Sequence, residues 1–249
     1  MKQIANCFTL LNLLFGCIAI VYIMQYGFTP IQGSGAFEVK EQICWATIFI
    51  FCAGVVDFLD GFFARLLGAS SELGKQLDSL ADVVSFGVAP GMIVYQFLRL
   101  SLADAGITDI NIFYLLPAFA IPCAGAFRLA RFNIATTHSC NFKGVPIPAA
   151  GILVASLPAI YLYSQFSFVK PLFSNQWFWY VLILAVSCLM VSTLPILSLK
   201  TKNFSVTKDW PKLVLLLFAV VAGITLKWFA IPVVFVFYVV LSLCVLKKE

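Results

Sequence analysis

Charged residues are scarce in this chain. Only 11% of its 249 residues are Asp, Glu, Lys or Arg, whereas 62% are hydrophobic and the mean hydropathy is +1.00. Soluble domains contain roughly 45–50% apolar residues, so the composition excludes an ordinary soluble protein. Because lipid leaves no water to pair backbone polar groups, the long apolar runs predict an all-α fold, a polytopic helical membrane protein.

Several other features are missing. The chain has no Ser/Gly linker, low-complexity tract or alignable repeat, which predicts one membrane-embedded domain over residues 1–249. Its eight cysteines are scattered without a CxxC pair, which excludes a zinc or redox framework of that type. The basic residues are dispersed, so the net charge of +5 does not indicate a nucleic-acid partner. The single histidine, His138, is expected at the surface of a polar loop.

The apolar runs have the length of membrane spans, for which roughly 17–25 residues are needed. About eight are expected, with six or seven as the alternatives, at residues 9–24, 42–66, 72 onward, 112–135, 148–166, 177–197, 212–226 and 228–246. Only Lys227 and its neighbours separate the last two runs, which indicates a tight hairpin.

Basic residues set the predicted orientation. With the N-terminus inside the cell, the inner side holds twelve of the sixteen Lys and Arg residues, as the positive-inside rule favours. The expected location is therefore the inner (cytoplasmic) membrane.

Four aspartates interrupt this apolar background. Asp57 and Asp60 are spaced i, i+3 and Asp78 and Asp82 are spaced i, i+4, so each pair shares a helix face. A turn between two antiparallel helices would bring both pairs together on the cytoplasmic side. Acids at membrane depth are costly and mark functional sites, and hard carboxylate oxygens favour Mg2+ or Mn2+. The pattern predicts a site for two divalent ions that clamp a pyrophosphate.

The arrangement Asp57-x2-Asp60-Gly61-x2-Ala64-Arg65-x8-Gly74-x3-Asp78-x3-Asp82 matches the signature of the CDP-alcohol phosphatidyltransferase family at every fixed position. The resemblance implies cleavage of a CDP-linked lipid, transfer of its phosphatidyl group to an alcohol, and a homodimer. It implies that the four aspartates bind metal and that Asp82 is also the general base. It further implies a CDP site that contains Asp60, Gly61, Ala64, Arg65 and Gly74.

Three further segments resemble the bacterial and archaeal phosphatidylserine synthases of that family, namely SFGVAP at 85–90, AFRLARFN at 126–133 and FKGVPIP at 142–148. With Asn6-x2-Thr9-x2-Asn12, which resembles the family's N-terminal segment, the similarity covers a catalytic core of about residues 6–148. It implies that Asn6 and Thr9 contact CDP, although Ala5 stands where relatives often have proline. The implied substrates are CDP-diacylglycerol and L-serine.

Two arginines suit serine as the acceptor. Free serine carries a carboxylate that needs a partner in a partly desolvated site, and Arg128 and Arg131 lie three residues apart on one predicted helix. We expect one of them to hold the serine carboxylate and the other a lipid or diphosphate oxygen, with Lys143 as a further candidate. The alternative interpretation is that both arginines are interfacial anchors.

Other functions remain open at this level. Another acceptor in the same family, such as glycerol 3-phosphate or inositol 1-phosphate, would use the same aspartates with an additional basic cluster. A divalent-cation transporter would explain intramembrane acids, but not the fixed spacing of Gly61, Ala64, Arg65 and Gly74. A non-catalytic scaffold ranks last, because four buried acids are costly for packing alone.

Overall fold

The computed structural model describes residues 2–27, 29–30, 37–66, 71–107, 109–134, 142–197 and 206–246. Helices dominate this part of the chain, which confirms the all-α prediction. They are α1 Lys2–Tyr26, α2 Ile43–Leu66, α3 Glu72–Asp82, α4 Ala89–Asp104, α5 Ala120–Ile134, α6 Ile147–Ala155, α7 Leu157–Tyr163, α8 Val169–Phe173, α9 Gln176–Val191, α10 Val206–Leu226 and α11 Ala230–Leu246.

Two pairs of short antiparallel strands accompany the helices. The strands β1 (Thr29–Pro30) and β2 (Phe37–Glu38) pair within the loop expected after the first helix. The strands β3 (Phe142–Lys143) and β4 (Pro195–Ile196) join two segments that are distant in sequence. With two residues in each strand, neither pair forms a layer of the fold.

The second aspartate pair lies near the start of a continuous 33-residue helical stretch, Glu72–Asp104. Ser71 caps its N-terminus, because the Ser71 side chain accepts a hydrogen bond from the Gly74 amide at 3.0 Å. A π-helical turn, Val83–Val88, connects α3 to α4. At 1.5 Å per residue the stretch is about 50 Å long, which exceeds the roughly 30 Å hydrocarbon core.

α1 packs against both α2 and α3 and so connects the two aspartate-bearing helices. α1 also approaches the π-helical turn closely at Gly16. A Cβ at this position would lie 2.9 Å from the Ser85 Cα, so the contact requires a glycine. Around this contact the core contains Phe86, Phe97 and Trp179, each fully buried. The rings of Phe97 and Trp179 stack at 5.2 Å and join α4 to α9.

Four stretches of the described residues are long and apolar enough to cross a membrane: Asn6–Tyr26, Ile43–Phe63, Glu72–Asp104 and Trp210–Val245. The last of these is folded back on itself. The rings of Phe218 and Phe237 stack at 4.2 Å, whereas in one straight helix they would be about 28 Å apart along the axis. The reversal occurs at Lys227, whose φ is 51°, and confirms the predicted hairpin.

Several predicted helices have different limits in the structure. The run expected at 148–166 is divided into α6 and α7, and the run expected from 212 begins at Val206. The segment expected to be helical from residue 112 begins with two 3-10 turns, Ile112–Tyr114 and Leu116–Phe119, before α5. α9 ends at Val191, not at residue 197, and the chain continues into β4. Pro195 disfavours helical geometry in the residue before it, and hydropathy does not distinguish an apolar helix from an apolar extended segment.

Candidate active site

Three of the four predicted metal ligands converge. Carboxylate oxygens of Asp57 on α2 and of Asp78 and Asp82 on α3 all lie within 4.8 Å of one another. Asp82 is buried and the other two are half-buried. The convergence follows from the helical register, since Asp78 and Asp82 are one turn apart on the face of α3 that Asp57 approaches.

The fourth aspartate has a different environment. Asp60 lies one turn beyond Asp57 on α2 and is buried, and its Oδ2 accepts a hydrogen bond from the Thr9 hydroxyl on α1. It is not part of the group of three. Thr9 was expected to contact CDP, and in the structure its hydroxyl bonds to a predicted metal ligand.

Asn12 was not singled out as a site residue from the sequence, yet it contacts the aspartate group directly. Its Nδ2 donates to Asp82 Oδ1 at 3.2 Å, and its backbone oxygen accepts a hydrogen bond from Ser85 Oγ at 2.9 Å. Asn12 is fully buried, and its Oδ1 has no partner among the described residues. The sequence contained one signal for this role: Asn12 is an amide that interrupts an apolar run three residues after Thr9.

The donor set fits a divalent cation. Three carboxylates this close would repel one another unless a cation neutralised them, and hard oxygen ligands are those that Mg2+ and Mn2+ prefer. The Asn12 Oδ1, which has no partner among the described residues, adds an oxygen donor beside Asp82. The site is therefore a group of carboxylates able to hold a divalent metal ion.

The predicted nucleotide residues lie on the helices that carry the aspartates and on α1. A Cβ built at Gly74 would lie 3.2 Å from Asn6 Oδ1, so the absence of a side chain lets α3 begin directly against α1. Gly61 follows Asp60 on α2 and is half-buried. Ala64 and Arg65 lie in the last turn of α2, and their side chains fall outside the described part of the structure.

Arg128 interacts with the aspartate group through Asp82. It is buried on α5, close enough to Asp82 on α3 and to Tyr238 on α11 for electrostatic interaction with both. Its Nε has no hydrogen-bond partner within the described residues. A buried guanidinium with an unused donor is suited to bind an anion.

Arg131 is engaged differently. Its two terminal nitrogens donate to the backbone oxygens of Val191 at 2.9 Å and Ser192 at 3.0 Å. These bonds tie α5 to the end of α9, a structural role that the sequence did not reveal. Of the remaining predictions, Lys143 lies in β3 with its side chain outside the described part, and His138 is not among the described residues.

Two hydrogen bonds fix α5 relative to α3. Asn133 Nδ2 donates to Ser79 Oγ at 2.8 Å, and Lys75 Nζ donates to the Asn133 backbone oxygen at 3.3 Å. Ser79 adjoins Asp78, and Asn133 ends the segment that carries both arginines. The contacts therefore hold the basic face of α5 beside the acidic face of α3.

Sequence comparison agrees with this site. The profile of the CDP-alcohol phosphatidyltransferase family matches residues 2–186. This range includes all four aspartates, Asn12 and both arginines. The chain belongs to the CDP-alcohol phosphatidyltransferase family.

Individual relatives have more specific names than the family as a whole. A CDP-diacylglycerol–serine O-phosphatidyltransferase of Helicobacter pylori J99 is 33% identical over 191 residues, which is 76% of this chain and 69% of the relative. A Bacillus subtilis protein of the same name is 40% identical over 116 residues, 47% of this chain and 61% of the relative. An archaetidylserine synthase of Methanothermobacter thermautotrophicus is 34% identical over 151 residues, 60% of this chain and 56% of the relative.

Proposed function

We propose that this protein transfers the phosphatidyl group of CDP-diacylglycerol to the hydroxyl of L-serine, giving phosphatidylserine and CMP. The observation that carries the proposal is the juxtaposition of the aspartate group with buried Arg128. The acids suit a diphosphate bound through cations, and the arginine suits the carboxylate of an amino-acid acceptor. The names of the relatives support serine as that acceptor.

The aspartates have two proposed roles. Asp57, Asp60, Asp78 and Asp82 would hold two Mg2+ or Mn2+ ions, which would neutralise charge on the diphosphate. Asp82 takes the proton of the serine hydroxyl as general base. The serine oxygen then bonds to the lipid-linked phosphorus, the bond from that phosphorus to the CMP oxygen breaks, and the electron pair leaves with CMP.

The acceptor pocket is assigned chiefly to Arg128. Its Nε is unused within the described structure, whereas two nitrogens of Arg131 already bind backbone oxygens. Arg128 is therefore the better candidate for the serine carboxylate, and Arg131 positions the helix that carries it. Lys143 is a further candidate for a phosphate oxygen.

The CDP moiety is assigned to the predicted nucleotide residues on α1, α2 and α3. The small residues at Gly61, Ala64 and Gly74 leave backbone accessible to a bulky ligand, and Arg65 would pair with phosphate. Asn6 and Thr9 would complete the site from α1.

The proposed membrane arrangement has eight spans. They are α1, α2, the continuous α3–α4 stretch, α5, α6 with α7, α9, α10 and α11. Because α3–α4 is longer than the hydrocarbon core, its first turns would lie at the interface, where a water-soluble nucleotide has access. The basic-residue bias puts this end at the cytoplasmic face of the inner membrane, and the family resemblance suggests a homodimer.

The test is CMP release from CDP-diacylglycerol by purified protein in detergent, with Mg2+ or Mn2+. The acceptor panel is L-serine, glycerol 3-phosphate, inositol 1-phosphate and none. We expect release that needs serine and metal and that falls at least about 100-fold in Asp82→Asn. Asp104→Asn is the matched control, since Asp104 lies at the opposite end of the same helical stretch and is bonded to Ser174.

Two other results would change the proposed function. Release with a phosphorylated acceptor would keep the mechanism and overturn the assignment of serine. If well-folded protein released no CMP with any acceptor, metal uptake into proteoliposomes would be measured, and uptake would favour a transporter.

A further inference from the structure

A cavity far from the aspartates lies where α7 ends and where the chain reverses between α10 and α11. Its volume is about 320 Å³, within the roughly 300–1,000 Å³ range of small-molecule sites. The Tyr163 side chain, which lines it, interacts with Cys44 in the first turn of α2. Asp57 lies about 20 Å further along that helix at 1.5 Å per residue. The cavity is thus separate from the site described above.

Lys227 in the cavity wall has an unusual backbone conformation. Its φ of 51° lies in the left-handed region, which costs a residue with a side chain about 1–2 kcal/mol. Glycine or asparagine is the usual choice at such a helix end. The dipole of α10 favours a cation in this turn, but a lysine one turn earlier would satisfy it without strain. A lysine at this strained position therefore indicates that its side chain has a function there.

The Lys227 ammonium group is available for a ligand. It is exposed and forms no hydrogen bond or ion pair within the described part of the chain. Gln165 adds a side-chain amide to the same cavity. Both groups can donate hydrogen bonds to an anion.

Apolar side chains lie beside these two groups, in the cavity wall and along α10. The aromatic side chains of Phe166 and Trp228, which line the cavity, are 41% and 38% exposed. Leu217, Val221 and Ile224 are also exposed, and their i, i+4, i+7 spacing makes one stripe along α10 that ends a turn before Lys227. A soluble anion would use the lysine but would gain nothing from the aromatic wall and the stripe.

We propose that this cavity binds the phosphate of an anionic phospholipid from the leaflet opposite the aspartate group. The Lys227 ammonium and the Gln165 amide hold a phosphate oxygen, and an acyl chain lies along the Leu217–Ile224 stripe. The proposal does not depend on the reaction assigned to the protein.

The test measures thermal unfolding of the full chain in detergent with EDTA, which keeps metal-dependent ligands from the aspartate site. Phosphatidylglycerol, phosphatidylcholine with the same acyl chains, and inorganic phosphate are added separately. We expect phosphatidylglycerol to raise Tm by about 5 °C at saturation, with little effect of the other two. Lys227→Asn should lose that shift, Lys227→Arg should keep it, and Lys170→Asn, outside the cavity, should also keep it.

Asparagine tolerates a positive φ, so Lys227→Asn without lipid should unfold at the wild-type temperature or higher. An undiminished phosphatidylglycerol shift in Lys227→Asn would overturn the proposal, as would an equal shift with phosphatidylcholine. A shift with inorganic phosphate alone would assign the cavity to a soluble anion and overturn the lipid. A lower lipid-free Tm in Lys227→Asn would show that the lysine has a structural role instead.

Discussion

At the scale of single residues, the hydrogen bond from Asn12 to Asp82 connects the apolar first helix to the proposed chemistry. Hydrogen bonds to charged groups contribute about 1.5–3 kcal/mol. We therefore expect Asn12→Ala to lower kcat for serine-dependent CMP release by about 10- to 100-fold, since Asp82 loses a bond that fixes its orientation. The dependence of the rate on metal concentration should move to higher concentrations as well.

The control for Asn12 is a second buried amide. Gln96 is 4% exposed and lies near the opposite end of the same helical stretch as Asp82. Gln96→Leu should leave kcat and the metal dependence unchanged. If both variants lost activity to the same degree, general destabilisation would explain the effect of Asn12→Ala.

The two arginines of α5 should differ when each is replaced by lysine, which keeps the charge but loses the planar fork. Arg128→Lys should raise the KM for serine by about 10-fold or more, because the carboxylate loses a paired contact. Arg131→Lys should lower Tm, because the bonds to Val191 and Ser192 are lost, while the KM for serine stays near wild type. The reverse pattern would exchange the two assignments.

The sequence predicted the positions of the aspartates better than the partners of the other polar residues. All four aspartates were expected to converge, and Asp57, Asp78 and Asp82 do, because helical spacing fixes which side chains share a face. Asp60 instead accepts a hydrogen bond from Thr9. The bonds of Arg131 to the end of α9 were not predictable, since they depend on where that helix stops. Asn12 was visible only as an interruption of an apolar run.

At the scale of elements, the π-helical turn at Val83–Val88 is the feature that hydropathy could not predict. Such turns are rare and occur frequently at functional sites. Here it directly follows Asp82 and brings Ser85 against Asn12. The turn gives the SFGVAP segment a physical role, because it sets the direction in which α4 continues from the aspartate-bearing helix.

The loop before α6 depends on one glycine. Gly144 has a φ of 75°. A Cβ there would collide with the Met190 backbone oxygen and would lie 2.9 Å from the Ser192 backbone oxygen. Gly144→Ala should therefore lower Tm through both an unfavourable φ and a collision with backbone. Gly106→Ala is the matched control, because Gly106 has a φ of 82° but no atom within 4 Å of a built Cβ.

Thermal unfolding of both variants in detergent separates the two causes. The φ effect alone costs about 1–2 kcal/mol, or roughly 2–8 °C for a chain of this size. Gly144→Ala should exceed that shift, and serine-dependent activity should fall with it, since this loop adjoins the segment that Arg131 binds. Equal shifts in both variants would show that the collision with the backbone of Met190 and Ser192 is unimportant.

At the scale of the whole molecule, composition was sufficient for the class of protein but not for the number of spans. About eight were expected, whereas four stretches of the described residues are long and apolar enough to cross a membrane. The hairpin of α10 and α11 was predicted from Lys227 and is confirmed by the stacked rings of Phe218 and Phe237. Composition could not predict how this hairpin packs against the core. Tyr238 on α11 donates to the backbone oxygen of Leu197 at 2.9 Å and lies near Arg128, so the C-terminal helices close one side of the proposed acceptor pocket.

Metal binding should change the stability of the fold, because the aspartate group joins α2 to α3 at the end of a long helical stretch. Without metal, the close carboxylates of Asp57, Asp78 and Asp82 repel one another and destabilise the folded state. The double variant Asp57→Asn/Asp78→Asn should therefore unfold at a higher temperature than wild type in EDTA. Mg2+ or Mn2+ at about 100 times Kd should stabilise wild type by about 2.7 kcal/mol and the double variant hardly at all, so the order of the two Tm values should reverse.

Asp104→Asn, which leaves the group intact, should follow wild type in both conditions. If the double variant were the less stable protein in EDTA and responded fully to metal, the carboxylate group would not be the metal site.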